Sequence, residues 1–527
     1  MKATTAVSAR PRLVSPRLVA GAAVFFAVGL VLRVFTLSDL WMDEALSLNI
    51  ARLPLLDIPA ALRRDGAPPL YYWLLHLWIS VFGDSDIAVR SLSSIASVLT
   101  LPVVWLVGRR LGGRRAAWGS VFILAVNPFA IRYATEARMY ALVALEVGLG
   151  LLAGLRALER PSAGRLAWVA VATTAVLYTH YWGIYLLVTS GIVLLVRARR
   201  RGPAPTAGTG SWNRIWRERL SGPEGRLLAA LALGAIAWAP WVPIFLDQAA
   251  HTGTPWATPS GPSALITVLG EFGGGNSETG RVLSLLLATL LLLGLLGRTL
   301  GGSRIEIDLK GRPAARPLFA IFLGCPAIAV VAGLASSSAF VGRYTSVVLP
   351  FFAVLVGLGV ATVADKRRIA VTLTAVGLMG LGLATQQALR NRTQAGELAG
   401  YIAAAARPGD VVVFCPDQLG PATLRLLGPS FTSIGFPRGD DARRIDWYDY
   451  DDVNKLTSPA AFAKVVHERA GSSAEVWLVS SSGYRSAPKS CTELESRLLA
   501  LRPSGRQVVR AKPRRYFEEA ALLRYPS

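Results

Sequence analysis

No soluble fold can bury what recurs along this chain. Windows of about twenty mostly apolar residues fall near 18–37, 87–108, 116–132, 139–156, 165–180, 182–196, 226–246, 281–298, 317–336, 345–363 and 368–388. They amount to about eleven candidate spans by hydropathy. Two of them, 165–180 and 182–196, are short enough to tilt or to sink towards a cavity. With 52% of 527 residues hydrophobic and only 17% charged, the chain reads as a polytopic α-helical membrane protein.

The formal net charge of +23 would suit a nucleic acid if the cations formed a basic face interleaved with aromatics. They gather instead in short runs between apolar windows, so no nucleic-acid partner is expected. With the N-terminus in the cytoplasm, inner loops carry Arg109, Arg110, Arg114 and Arg115, then Arg156, Arg160 and Arg165. Arg197 and Arg199 to Arg201 follow, then Arg298 to Arg316, then Lys366 to Arg368. Alternate loops are sparse in cations, as the positive-inside rule requires. An odd number of spans then places the C-terminus outside. Lys2 to Arg17 lead into the first window without a small-residue cleavage site, which reads as an uncleaved span of a plasma-membrane protein. Three cysteines and four histidines are too few and scattered for a structural zinc site.

The outer side holds the segment from residue 38 to Asp86, the turns Asn127–Arg138 and Thr179–Trp182, Asp247–Gly280 and Ser336–Arg343. The first is the most informative. It opens with Trp41-Met42-Asp43-Glu44 and closes with Asp65-Gly66-Ala67-Pro68-Pro69-Leu70-Tyr71-Tyr72. Two adjacent acids could simply serve the dipole of a helix over Glu44–Ala51. Directly after a span, however, a carboxylate can also take the proton of a hydroxyl that attacks a lipid-borne substrate. The second turn would bring Asp65, Tyr71 and Tyr72 over the same cavity. Tyr71–Phe82 is aromatic but too short to span, which suits an interfacial or re-entrant helix with Trp73 and Trp78 at headgroup depth. Arg132, Glu136, Arg138 and Tyr140 follow in the next outer turn. One arginine there can snorkel beside Glu136, but two run against the charge trend, and an arginine facing outward suits a phosphate. Arg343-Tyr344 raises the same question, and His180 lies at the outer mouth between two spans as a lining residue.

From residue 391 the composition changes. A helix at Glu397–Ala406, a strand at Asp410–Phe414, a helix at Ala422–Leu427, a strand at Glu475–Val479 and a helix at Cys491–Leu501 are expected. With Gln507–Arg510 and Ala520–Arg524 closing a sheet, residues 391–527 form a small α/β domain outside the membrane. Cys415 and Cys491 both fall in it, where a disulfide is permitted, although spacing does not decide whether they pair. Cys325 falls within a span as a buried apolar side chain.

Taken together, the acidic pair after the first span, Pro-Pro-Leu-Tyr-Tyr, Glu-Ala-Arg-Met-Tyr-Ala-Leu, Thr-His-Tyr and a late Arg-Tyr resemble the GT-C integral-membrane glycosyltransferases. Within these the chain is most similar to the branch of protein O-mannosyltransferases and lipid A aminoarabinose transferases. The resemblance covers about residues 18 to 388, within a catalytic domain over residues 1–390. It implies a polyprenyl-phosphate sugar donor and inverting transfer on the extracytoplasmic face. It also implies Asp43 as general base with Glu44 beside it, and Arg138 and Arg343 near the donor phosphate. Ala67 departs from the pattern, since many relatives carry histidine or lysine just before the prolines.

The expected function is therefore transfer of mannose or another sugar to a hydroxyl on a protein, glycolipid or polysaccharide, from a donor drawn out of membrane lipid. The carboxylates could hold a divalent cation, or the arginines could stabilise the phosphate without one. A lipid-linked glycan transporter is the rival from another class. It should place charges along a pathway within the spans, whereas here the span centres are nearly free of them.

Overall fold

The computed structural model describes residues 16–201, 221–253, 261–300, 304–336, 340–429, 431–487 and 489–527. The basic N-terminus before Pro16 and most of the loop expected at Arg199–Gly225 lie outside the described residues, as do 254–260 and 337–339 of two outer segments. Helices occupy every apolar window. Eight described helices are long and apolar enough to cross a membrane. One of them, Asp86–Val126, is two arms of a tight hairpin, broken at Gly113 where φ is 73°, a conformation that glycine adopts without strain. The chain is a multi-pass membrane protein.

Leu349–Thr362 runs through the centre and is buried along almost its whole length. Its glycines explain how it sits there. A Cβ on Gly357 would strike Ser120, and one on Gly359 the Leu290 carbonyl, so the helix axes approach as closely as small residues allow. Arg33 is fully buried just beyond the first helix. Its guanidinium donates to Leu124 O at 2.6 Å and Ala125 O at 2.7 Å. These are last-turn carbonyls of the hairpin's second arm, which a cation satisfies well.

Arginine-rich loops and acidic turns collect at opposite ends of the bundle. At one end Arg110 pairs with Glu159 at 2.7 Å, and Arg312 donates to Gly297 O and Thr362 Oγ1. At the other lie the short helices Met42–Ala51, Ile58–Asp65, Leu70–Phe82 and Pro128–Ala134. The Leu70–Phe82 helix buries Tyr71, Tyr72 and Leu75 and exposes Leu77, Val81 and Phe82. This is the one-sided pattern of a helix lying along an interface.

Residues 395–525 form a separate layered unit on the acidic end. Its sheet has the order Thr432–Gly435, Val411–Cys415, Val476–Ser480, Ala521–Tyr525, Arg506–Val509. The first three strands are parallel and the last two antiparallel to their neighbours. Every element expected in the C-terminal region is present within a residue or two. The strand Thr432–Gly435 and the helices Tyr450–Leu456 and Pro459–Ala470 were not foreseen. Cys415 and Cys491 are joined in a disulfide, and Cys325 is a buried free thiol. This unit docks through Arg425 to Asp86 at 2.6 Å and Arg64 to Asp446 at 2.9 Å. Asn49 Nδ2 also donates to Arg443 O at 2.6 Å.

Candidate active site

Asp43 and Glu44 open the Met42–Ala51 helix and leave its axis in different directions, since successive residues are about 100° apart. Asp43 Oδ2 faces Arg343 Nη1 at 3.0 Å, with both side chains mostly buried. Arg343 comes from the short 3-10 helix Gly342–Val348, which leads into the central helix. Arg138 completes the cluster. Its Nη1 donates to Ser47 Oγ at 2.9 Å, Tyr72 OH at 3.2 Å and Asp43 O at 3.5 Å.

The second acidic turn joins from below. Gly66 ends the Ile58–Asp65 helix at φ 85°, and the prolines launch Leu70–Phe82, so Tyr71 and Tyr72 stand in its first turn. Tyr72 OH donates to Asp65 Oδ2 at 3.1 Å. Burial raises the Asp65 carboxyl above the usual carboxylate range, against the pull of Arg138 and Tyr72. Tyr71 OH meets Ser93 Oγ at 3.3 Å, and Ser93 donates to Arg138 O at 3.1 Å, which fixes the arginine's backbone. Ala67 offers its carbonyl to Gln248 Nε2 at 3.2 Å.

Glu44 goes the other way. It is fully buried and bidentate to Arg90, with Oε1 at 2.7 Å from Nε and Oε2 at 2.6 Å from Nη2. Oε1 also accepts the Ala137 amide at 2.9 Å, which pins the Asn127–Arg138 turn against the helix. Burial would raise the Glu44 carboxyl, but the charge and hydrogen bonds of Arg90, then Arg392, outweigh it and hold it low. Glu136 lies in the same buried layer, 3.3 Å from Arg132 and 3.9 Å from Arg392. Burial raises its carboxyl in spite of both. Arg392 donates to Thr135 O at 2.9 Å and Thr135 Oγ1 at 2.7 Å, and burial lowers its guanidinium to about 9.

The expected residues thus divide. Asp43, Asp65, Tyr72, Arg138 and Arg343 converge on one small region. Tyr140, His180 and Tyr344 form an aromatic wall around Arg343, with ring centroids of His180 and Tyr344 5.0 Å apart and the guanidinium 6.0 Å from the Tyr140 centroid. Tyr71 supports Arg138 from behind. Glu44, Arg132 and Glu136 lie beneath, in the buried charge layer. Sequence reading missed Ser47, Arg90 and Arg392. Arg90, a cation inside an apolar window, carried a signal; Ser47 carried none. Among the described residues, no group of three or more His, Cys, Asp or Glu stands close enough to hold a metal ion.

A cavity of about 530 Å³ lies deeper in the bundle. It runs between Tyr140–Glu159, Ala163–Thr179, Trp182–Arg201 and Ala315–Ser336, lined mainly by Leu, Val, Gly and Ala. Glu146 marks the end nearest the site and accepts from Thr179, the residue before His180, at 2.9 Å.

This bundle, with its short helices on one end and a sheet domain above them, has the GT-C fold of integral-membrane glycosyltransferases. A model of the dolichyl-phosphate-mannose-protein mannosyltransferase family matches residues 66–206. The crystal structure of ArnT from Cupriavidus metallidurans bound to undecaprenyl phosphate is similar at 15% identity and a TM-score of 0.55, over 96% of this chain and 97% of that one. The apo state of the same protein gives 15% and 0.56 with equal coverage. An oligosaccharyltransferase from Archaeoglobus fulgidus gives 14% and 0.49, over 87% of this chain and 67% of that one. No curated protein sequence matches the chain.

Proposed function

We propose that the protein moves a sugar from a polyprenyl-phosphate donor to an acceptor hydroxyl on the extracytoplasmic face, with inversion at the anomeric carbon and Asp43 as general base. The observation that carries this reading is the convergence of one carboxylate and two guanidinium groups, Asp43, Arg343 and Arg138, on the end of the bundle where acidic turns collect. A base and an anion clamp are the two things a displacement at a sugar phosphate needs. The fold shared with a protein crystallised with undecaprenyl phosphate supports a lipid-linked donor. The apolar cavity that Glu146, Val176 and Gly183 help to line has the chemistry to receive its hydrocarbon chain.

Arg343 and Asp43 pair at 3.0 Å. When the donor phosphate arrives, Arg343 turns to it, and the Asp43 carboxylate becomes available to the acceptor hydroxyl. The hydroxyl oxygen forms its bond to the anomeric carbon as the carbon–phosphate oxygen bond breaks. Asp43 takes the proton, and polyprenyl phosphate leaves paired to Arg343 and Arg138. Attack and departure lie on opposite faces of the sugar, as inversion requires. Glu44, with both oxygens engaged, positions the helix and takes no part in proton transfer.

Purified protein incubated with a labelled polyprenyl-phosphate sugar and envelope extract as acceptor should release polyprenyl phosphate and label a new product. Label that stays on the lipid across sugar types would overturn the reading.

A further inference from the structure

The helix that carries Asp43 is also held from the C-terminal domain. Phe517 and Glu518 lie between the last two strands and return to the linker after the last membrane helix. Their amides both donate to Arg392 O, at 3.1 and 2.8 Å, and Gln394 N donates to Glu518 O at 2.9 Å. This places Phe517 edge-on against Trp41, with centroids 5.7 Å apart. It buries the Glu518 carboxyl, 5% exposed, beside the Met42 amide and the Thr393 hydroxyl, and burial raises that carboxyl to about 7 in spite of both. Tyr484 OH donates to Glu518 Oε1 at 3.1 Å, and both side chains lie close enough to Asp43 to feel its charge.

The helix start needs such a partner. A helix leaves its first amides without acceptors, and the N-cap of Met42–Ala51 is Trp41, which supplies no side-chain acceptor. A side-chain oxygen from elsewhere in the chain can fill that place. We propose that Glu518 is a positioning residue: it caps, from the C-terminal sheet unit, the helix whose second residue is Asp43, and so fixes the direction of the base. Tyr484 holds Glu518 in place. The inference rests on the reading of Asp43 as base.

Steady-state transfer by Glu518→Ala, Glu518→Gln and Tyr484→Phe tests it, with donor KM and kcat determined separately. A base misaimed by a fraction of an ångström to one ångström costs ~10–100-fold. Glu518→Ala should therefore lose about that much in kcat with donor KM unchanged, while exchange of the Met42 and Asp43 amides with solvent deuterium quickens. Glu518→Gln keeps an acceptor oxygen and should recover most of the rate, and Tyr484→Phe should fall between. Equal kcat in Glu518→Ala and the parent overturns the proposal, as does a loss that Gln does not rescue. If Glu518→Ala does not fold, the Gln and Tyr484→Phe variants still decide, because a rate for Tyr484→Phe equal to the parent's removes the orienting contact from the account. Full activity in Asp43→Asn would instead defeat the base assignment, whatever the Glu518 variants do.

Discussion

The Asp43 carboxylate pairs with Arg343 at 3.0 Å at the edge of a site, whereas Glu44, the next residue, holds Arg90 with both oxygens and is sealed from solvent. The same residue class one position apart has been given two tasks by the turn of a helix. A carboxylate with both oxygens engaged in a buried pair is costly to disturb, because breaking such a pair leaves an uncompensated charge. That makes Glu44 good at holding Arg90, the Ala137 amide and, through Arg392, the linker to the C-terminal sheet unit. The looser Asp43 pair, which an incoming phosphate can exchange, suits chemistry. Stability and reactivity are thus separated between neighbours, and each can be attacked alone.

Asp43→Asn breaks the comparison hardest. Transfer should fall by ~10²–10⁴-fold with the melting temperature in detergent unchanged, read from product formation and a thermal scan on the same preparation. Glu44→Gln should do the reverse. It leaves Arg90 buried without its counter-charge, a loss of about 3–5 kcal/mol, seen as a lower melting temperature and poor membrane yield. If Glu44→Gln is stable and loses only turnover, the division of tasks is wrong. Arg343→Ala should cost ~10²–10³-fold in transfer, the usual effect of removing one donor to a developing anion. Its effect should appear in single-turnover rate, with Glu44 and its partners undisturbed.

How far the sequence spoke can be judged from these same residues. The apolar windows located the helices, because a membrane leaves a backbone few other ways to satisfy its polar groups. Alternating arginine runs sorted the loops into two groups, and the structure gathers those groups at opposite ends of the bundle. Asp43, Arg138 and Arg343 each stood out as a polar residue beside a span, but it was the resemblance to GT-C enzymes that named them together. What stayed hidden was direction. Nothing in Asp43-Glu44 says which side chain faces the site, since that depends on Arg90, which lies 46 positions away from Glu44. Arg392 and Glu518 were hidden for a similar reason: their meaning comes from a domain folding back over the loop. The helix at 450–456 was missed where a run of aspartates masks a weak apolar pattern.

The smallest effect sharpens the comparison from the periphery. Arg425 reaches from the C-terminal sheet unit to a partly exposed Asp86 at 2.6 Å, while Arg392 makes its contacts to Thr135, Glu44 and Glu136 in the buried layer. If docking is fixed by the buried layer, Arg425→Ala should lower stability by only about 1 kcal/mol, the upper end for a pair that solvent still reaches, and transfer should hardly change. Raising the salt concentration should erase even that difference, because exposed charges are screened. A double-mutant cycle with Asp86→Ala measures the pair directly. A coupling above about 2 kcal/mol, beyond that range, would move the anchor of the C-terminal sheet unit from Arg392 to its rim and weaken the link between the linker and the base.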